Sequence, residues 1–349
     1  MRTDGSTGTH AGNAQRKGSS SVASVSFGDP QLEAAVTEGM QRCEDLLLTE
    51  LAQGEEFLVT RVRHLADAGG KRFRPMFAMM AAQFGTNPQA DEVVKAATVV
   101  EMTHLATLYH DDVMDEADIR RGVPSANARW TNTVAILSGD YLFATASRLL
   151  ADLGAETVRH FAETFGELVT GQMRESVGCP EGADPIEHYL QVIEEKTGVL
   201  IASAGYLGAL HSGADEETVT ALRKFGALIG LVFQIVDDII DISSDTGQSG
   251  KTPGTDLREG VFTLPVLYAL REDTEVGARL REILTGPVTD DALVAEALEL
   301  LGQSSGTEQA LAVVKDLVAQ SEETIADLED IPAKQALLEL AQYTVARVG

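Results

Sequence analysis

The pattern Asp-Asp-x-x-Asp is written twice in this chain, at Asp111-Asp112-Val113-Met114-Asp115 and at Asp237-Asp238-Ile239-Ile240-Asp241, each closing a stretch of apolar or small residues. On an α-helix, residues i and i+4 share a face, about 5–6 Å apart at Cβ, so Asp111 and Asp115 point the same way. In the second copy Gln234, Asp237, Asp238 and Asp241 fall on one stripe. Carboxylates stacked on one helical face repel each other, and burying them without partners is unfavourable. A cation therefore belongs between them. Oxygen donors with no His or Cys among them suit Mg²⁺, which keeps waters and completes its shell with substrate phosphates. Two such helices face to face would hold Mg²⁺ around a diphosphate. One acidic cluster is as readily a solvated surface; two copies beside the most apolar helices are not.

The chain has 349 residues, with 27 Lys and Arg against 54 Asp and Glu, a formal charge of −27 that argues against non-specific nucleic-acid binding. A 44% apolar share supports a large core, while aromatics are only 5%, and period-2 runs of β-branched residues are missing. The fold class expected is all-α. Helical patterns fall near 31–53, 56–67, 72–84, 89–114, 132–151, 155–178, 185–211, 216–244, 262–271, 290–302, 306–327 and 331–347. Residues 1–28, rich in Ser, Thr and Gly with no apolar core, are expected to be a disordered leader, and 29–349 one domain. The longest apolar runs, such as 225–233, fall short of a membrane span. Cys43 and Cys179 are too few and too far apart for a disulfide framework and read as free thiols in the cytoplasm.

Against this acidic background the basic residues stand out. Gly69-Gly70-Lys71-Arg72-Phe73-Arg74-Pro75 joins a glycine turn to a helix start, where backbone N–H groups and cationic side chains can face an anion. Arg120-Arg121-Gly122 follows the first acidic cluster. Lys196-Thr197 sits in a helical segment and Lys251 in the loop after the second cluster. His104, two turns before Asp111, shares its face. Alone, each is an ordinary surface or core feature; together they complement the acidic stripes.

In order and spacing these residues, with Gly139-Asp140, Gly171-Gln172 and Thr263-Leu264-Pro265, resemble the all-trans isoprenyl (polyprenyl) diphosphate synthases, over roughly residues 30–349. The resemblance implies a single large bundle of long antiparallel helices around a central cavity, as a homodimer, that joins isopentenyl diphosphate to an allylic diphosphate. It implies Mg²⁺ on Asp111, Asp115 and Asp237, with Asp112, Asp238 and Asp241 supporting. Arg120, Lys196, Thr197, Gln234 and Lys251 match allylic diphosphate positions; Lys196, Thr197 and Gln234 are the expected catalytic residues, with the oxygen dipoles of Thr197 and Gln234 stabilising the carbocation. Gly70, Lys71, Arg74, His104 and Arg121 match the isopentenyl diphosphate site. One departure is Val261, where many members carry a second loop lysine. In short-chain members bulky aromatics four or five residues before the first motif floor the tunnel. Here Thr107, Ala106 and Thr103 are small, so a deep pocket and a product of about C30 to C50, a quinone side-chain precursor able to partition to membrane, are expected. Tyr141 and Phe143 are candidates for the lower floor. The alternatives are a C15 or C20 synthase and a terpene cyclase; Gly70, Lys71 and Arg74 speak against the cyclase.

Overall fold

The computed structural model describes residues 28–243 and 253–348, and the expected leader lies outside the described residues but for Gly28. In chain order the helices are α1 (Pro30–Leu51), α2 (Glu56–Val62), α3 (His64–Asp67), α4 (Phe73–Ala82), α5 (Asp91–Met114), α6 (Ala126–Arg129), α7 (Asn132–Ala151), α8 (Ala155–Val177) and α9 (Pro185–Ile193). A single π-helical turn, Glu194–Gly198, leads from α9 into α10 (Val199–Ser212). Then come α11 (Glu216–Ser243), α12 (Thr255–Glu259), α13 (Leu264–Leu270), α14 (Glu275–Ile283), α15 (Asp291–Gln303), α16 (Gly306–Thr324) and α17 (Pro332–Ala346). The described residues add only a two-stranded ribbon, β1 (Ile119–Arg120) and β2 (Val123–Pro124). The fold is all-α, as the sequence predicts.

Local chemistry sets where helices begin. Asp29 caps α1, its carboxylate accepting from the amides of Gln31 at 2.9 Å and Leu32 at 2.8 Å, with Pro30 filling the first helical position. Helices α5 and α10 are buried almost all round, because neither carries a continuous polar face. They run through the middle: α5 lies along α7, α4 and α10, while α10 lies along α11 and α4. Gly208 makes the α4–α10 crossing possible, since a Cβ there would fall 2.2 Å from the Ala78 carbonyl oxygen. One large apolar cluster surrounds α4, α10, α11 and α16. A second joins α2, α3, α5 and α7, and a third lies under α12 to α15.

The differences from the sequence pattern are local. The segment read as one helix over 56–67 breaks at Arg63, and 185–211 contains the π turn. Helices α6, α12 and α14, none longer than nine residues, are too short for periodicity to reveal. Among the described helices α7 alone is long and apolar enough to cross a membrane, contrary to the expectation from the longest runs. It spends its Ala135, Leu142 and Ala146 face on α5.

Candidate functional site

Helices α5, α8, α10 and α11, the turn before α4, the β1–β2 hairpin and the π turn enclose a cavity of about 560 Å³. Fourteen residues singled out in the sequence line it: Gly70, Lys71, Arg74, His104, Thr107, Asp111, Arg120, Arg121, Lys196, Thr197, Gln234, Asp237, Asp238 and Asp241. Of the residues assigned a metal, substrate or chain-length role, four do not: Thr103, Ala106, Asp112 and Asp115. Lys251 lies outside the described residues.

The two acidic motifs meet across this cavity, and their six aspartates divide by environment. Burial raises the Asp111 carboxyl to about 6; nearby Lys196 opposes the shift and Asp115 adds to it. Asp115, the C-cap of α5, is raised too, chiefly by burial. Asp112 turns inward: it is fully buried, its Oδ1 accepts from Arg120 Nε at 2.6 Å, and Oδ2 has no partner. It does not line the cavity, so its position suits aiming Arg120 rather than supporting a metal there.

Asp238 is likewise tied to protein groups. Tyr189 donates its hydroxyl to Oδ2, Gln234 Nε2 donates to Oδ1 at 2.9 Å, and Thr197 Oγ1 donates to Gln234 Oε1 at 3.3 Å. Burial nevertheless holds this carboxyl at about 6, with the hydrogen bonds from Tyr189 and Gln234 lowering it and Asp237 and Asp241 pushing it up. The chain Tyr189–Asp238–Gln234–Thr197 fixes two dipoles on the cavity wall. The amide of Asp256, another wall residue, donates to Asp241 Oδ2 at 3.4 Å.

The donor chemistry fits Mg²⁺. All the acidic groups are hard oxygens, and burial pushes Asp111, Asp112, Asp115 and Asp238 toward protonation; a divalent cation beside Asp111 and Asp115 would oppose that shift. Among the described residues no three His, Cys, Asp or Glu side chains form a ready-made cage. That too suits Mg²⁺, which binds through one or two carboxylates plus phosphate oxygens and water.

The basic wall is held by a buried ion-pair network. Arg72 adopts a left-handed backbone, φ 49°, and turns its guanidinium into the protein. Nε and Nη2 donate to the two oxygens of Glu44 at 2.8 and 3.0 Å, and Nη1 donates to Glu101 at 2.8 Å. Arg72 borders the cavity with Lys71 and Arg74, but its guanidinium is committed to Glu44 and Glu101. Gly70, φ 153°, allows the Arg121 guanidinium to close on the turn, since a Cβ would sit 2.8 Å from its Cζ. Arg121 and Gly122, both with positive φ, form the two-residue turn of the hairpin, and Arg121 donates to the carbonyls of Leu65 and Gly69. Arg74 is half-buried, its Nε buried without a partner, and desolvation lowers its pKa to about 10. A half-buried guanidinium with a buried donor unmatched suits an anion. His104 is kept neutral, its pKa pushed far down by burial and then by Arg74 and Arg121.

Lys196 comes from the π turn, a local widening that recurs at functional sites. Gly171 of α8 lets the turn approach, since a Cβ there would lie 2.6 Å from the Lys196 amide nitrogen. Lys196 pairs with Glu175, which also accepts from Gln172 Nε2 at 3.1 Å. Sequence reasoning missed Glu101, Glu175, Tyr189 and Asp256. Glu101 carried a readable signal, a lone acid in the apolar run of α5. Tyr189 carried none, because its ring belongs to the ordinary apolar face of α9.

Beside Asp111 an open apolar groove of about 520 Å³, with Met114, Met173 and Val177 exposed, shares Thr107, Asp111, Leu168 and Gln172 with the first cavity. Its further walls include Val113, Met114, Ile136, Phe165, Val169 and Met173. Of the three small residues named for tail length, only Thr107 faces this passage. Thr103 is buried, bonded to the Val99 carbonyl at 2.9 Å, and Ala106 packs on α7, its carbonyl 3.0 Å from where a Gly139 Cβ would stand. Tyr141 faces away, donating to the Gln53 carbonyl at 3.2 Å, whereas Phe143 stacks on Phe165 with centroids 4.2 Å apart.

Comparison with known proteins agrees with this geometry. The polyprenyl synthetase family model matches residues 55–301. The nonaprenyl diphosphate synthase of Mycobacterium tuberculosis is 56% identical over 328 residues, 94% of this chain and 98% of that one. A crystal structure of geranylgeranyl pyrophosphate synthase from Corynebacterium glutamicum, complexed with calcium and isoprenyl diphosphate, superposes with a TM-score of 0.85 at 62% identity, covering 93% of this chain and 99% of that one. A decaprenyl diphosphate synthase from Rhodobacter capsulatus gives a TM-score of 0.83 at 33% identity, covering 91% and 99%. The chain thus belongs to the polyprenyl synthetase family and is a prenyltransferase.

Proposed function

We propose that this enzyme builds a long all-trans polyprenyl diphosphate, about C30 to C50, from isopentenyl diphosphate and an allylic diphosphate with Mg²⁺ as the metal. The observation that carries the length is Thr107, a small side chain that borders both the polar cavity and the apolar groove beside it. A growing tail is apolar and gains about 25 cal/mol for each Å² it removes from water, so it favours such a channel over the solvated mouth.

The chain's own residues divide the work. Asp111, Asp115 and Asp237 would hold Mg²⁺, which when bound neutralises charge developing on the departing diphosphate. Arg120 and Lys196 grip that diphosphate from the opposite wall, Lys196 leaving Glu175 to do so. The allylic C–O bond breaks and the isopentenyl double bond attacks the resulting cation. A proton then leaves the new C–C adduct for the released diphosphate. The oxygens of Thr197 and Gln234, locked by Asp238 and Tyr189, stabilise the cation without trapping it. Gly70, Lys71, Arg74, Arg121 and neutral His104 seat isopentenyl diphosphate. Exposed apolar residues along α7 and α8 outside the groove, among them Leu137 and Val158, support a homodimer, and two unpaired thiols support a cytoplasmic setting.

The test is to supply isopentenyl diphosphate in excess with C10, C15 or C20 primers and size the products by mass spectrometry. A ladder reaching C30 or beyond is expected. An end at C20 would favour the second reading, a geranylgeranyl diphosphate synthase, for which the likeness to the Corynebacterium protein speaks.

A further inference from the structure

The end of α17 reaches the second aspartate motif. Arg347, just past the helix, places Nη2 2.8 Å from Asp237 Oδ1, and its guanidinium carbon stands 5.9 Å from the centroid of Phe233, a ring on the cavity wall. The other terminal nitrogen, Nη1, is buried and donates to nothing. On the same side of the cavity, the loop after α12 reads Gly260-Val261-Phe262 and brings no cation; the Val261 amide bonds the carbonyl of Asp256 at 2.8 Å. A cation thus reaches the second motif from the far end of the chain.

We propose that Arg347 gates Asp237: it holds this carboxylate against a divalent cation in the substrate-free protein and turns to the diphosphate when the cation takes its place. The proposal rests on the reading above of Asp237 as a metal ligand. A carboxylate oxygen shared between a guanidinium and a divalent ion brings two cations together, so each weakens the other. The displaced guanidinium has one donor already without an acceptor, which is costly where it is buried. A planar fork of donors matches a pair of phosphate oxygens. Arg347 is anchored over Phe233 at the cavity wall, so it needs a side-chain rotation rather than a helix movement to make that exchange.

The test uses the full chain at low ionic strength, titrated calorimetrically with magnesium chloride alone, then with inorganic diphosphate in the presence of magnesium. Arg347→Gln is expected to tighten Mg²⁺ binding about fivefold in the absence of diphosphate, the worth of a partly exposed ion pair. The same change is expected to weaken diphosphate binding about tenfold, the worth of a charge-assisted hydrogen bond. Arg347→Lys, which keeps the charge, should recover most of both effects, and Arg347→Met, which removes the charge but keeps the apolar contact with Phe233, replaces the glutamine variant should that one fail to fold, with the same outcomes expected. Unchanged Mg²⁺ or diphosphate affinity in a folded Arg347→Gln protein overturns the gate. Asp237→Asn separates the two ideas: if it leaves Mg²⁺ binding intact, the metal reading and the gate fall together. If it weakens Mg²⁺ binding while Arg347→Gln does not alter it, only the gate falls.

Discussion

Replacing Thr107 with phenylalanine should shorten the product, and the structure sets how far. Thr107 lies one helical turn before Asp111, about 6 Å along the axis of α5. An isoprene unit has four skeletal bonds, so it spans about 5 Å at ordinary C–C lengths. Side chains on a helix lean toward its N-terminus, so the ring would block the channel a little beyond the turn that carries it. Between one and two further units fit above the ring, and elongation should end near C15. The fold should tolerate the change: Thr107 faces open space and its hydroxyl bonds only the His104 carbonyl of its own helix, at 2.9 Å. Stability should stay within about 1 kcal/mol of the parent. Ala106→Phe is the contrasting control, because Ala106 is 2% exposed in the α5–α7 seam; overpacking there should cost about 1–3 kcal/mol. The assay is product sizing by mass spectrometry beside thermal unfolding of both variants. A Thr107→Phe enzyme, folded and active, that still makes the parental product would refute the route of the tail.

Three further outcomes follow from the same geometry. The Asp111 carboxyl stands at about 6 in the metal-free protein and must lose its proton to bind a cation, so Mg²⁺ affinity should rise with pH through about 6 and then level off. Below that point affinity should fall by up to about tenfold per pH unit, measurable by calorimetric titration between pH 5 and 8. Glu101→Gln, which leaves buried Arg72 with Glu44 alone, should destabilise the protein by about 3 kcal/mol in denaturant unfolding and raise KM for isopentenyl diphosphate more than that for the allylic primer. Tyr189→Phe removes the hydroxyl that Asp238 accepts from and should cost about 1–3 kcal/mol, with kcat falling as Gln234 and Thr197 lose their fixed orientation.

The helical fold and most of the cavity wall were legible because they depend on periodicity and on residue type. The doubled Asp-Asp-x-x-Asp and the basic turn around Gly70 announce their chemistry in one dimension, since each is a short local run. What stayed hidden depends on where side chains turn. Asp111 and Asp112 are neighbours in sequence, yet one faces the cavity and the other is sealed against Arg120. Ala106 and Thr107 are equally small, yet a 100° step around α5 puts one in a helix seam and the other in the channel. Arg72 looked like a member of the anion-binding run, but its left-handed backbone turns it inward to Glu44 and Glu101, from distant parts of the chain. Arg347 carried no local signal at all.

The most direct test of the central claim, that the tail leaves the diphosphate site past Thr107 into the apolar groove, is photolabelling with an allylic diphosphate that carries a benzophenone at the end of a C15 tail. Mass spectrometry of the digested protein should locate the label on α8 between Phe165 and Met173, or on α5 next to Thr107. Label confined to α1, α16 or α17 would contradict the account, because the tail would then run elsewhere in the bundle.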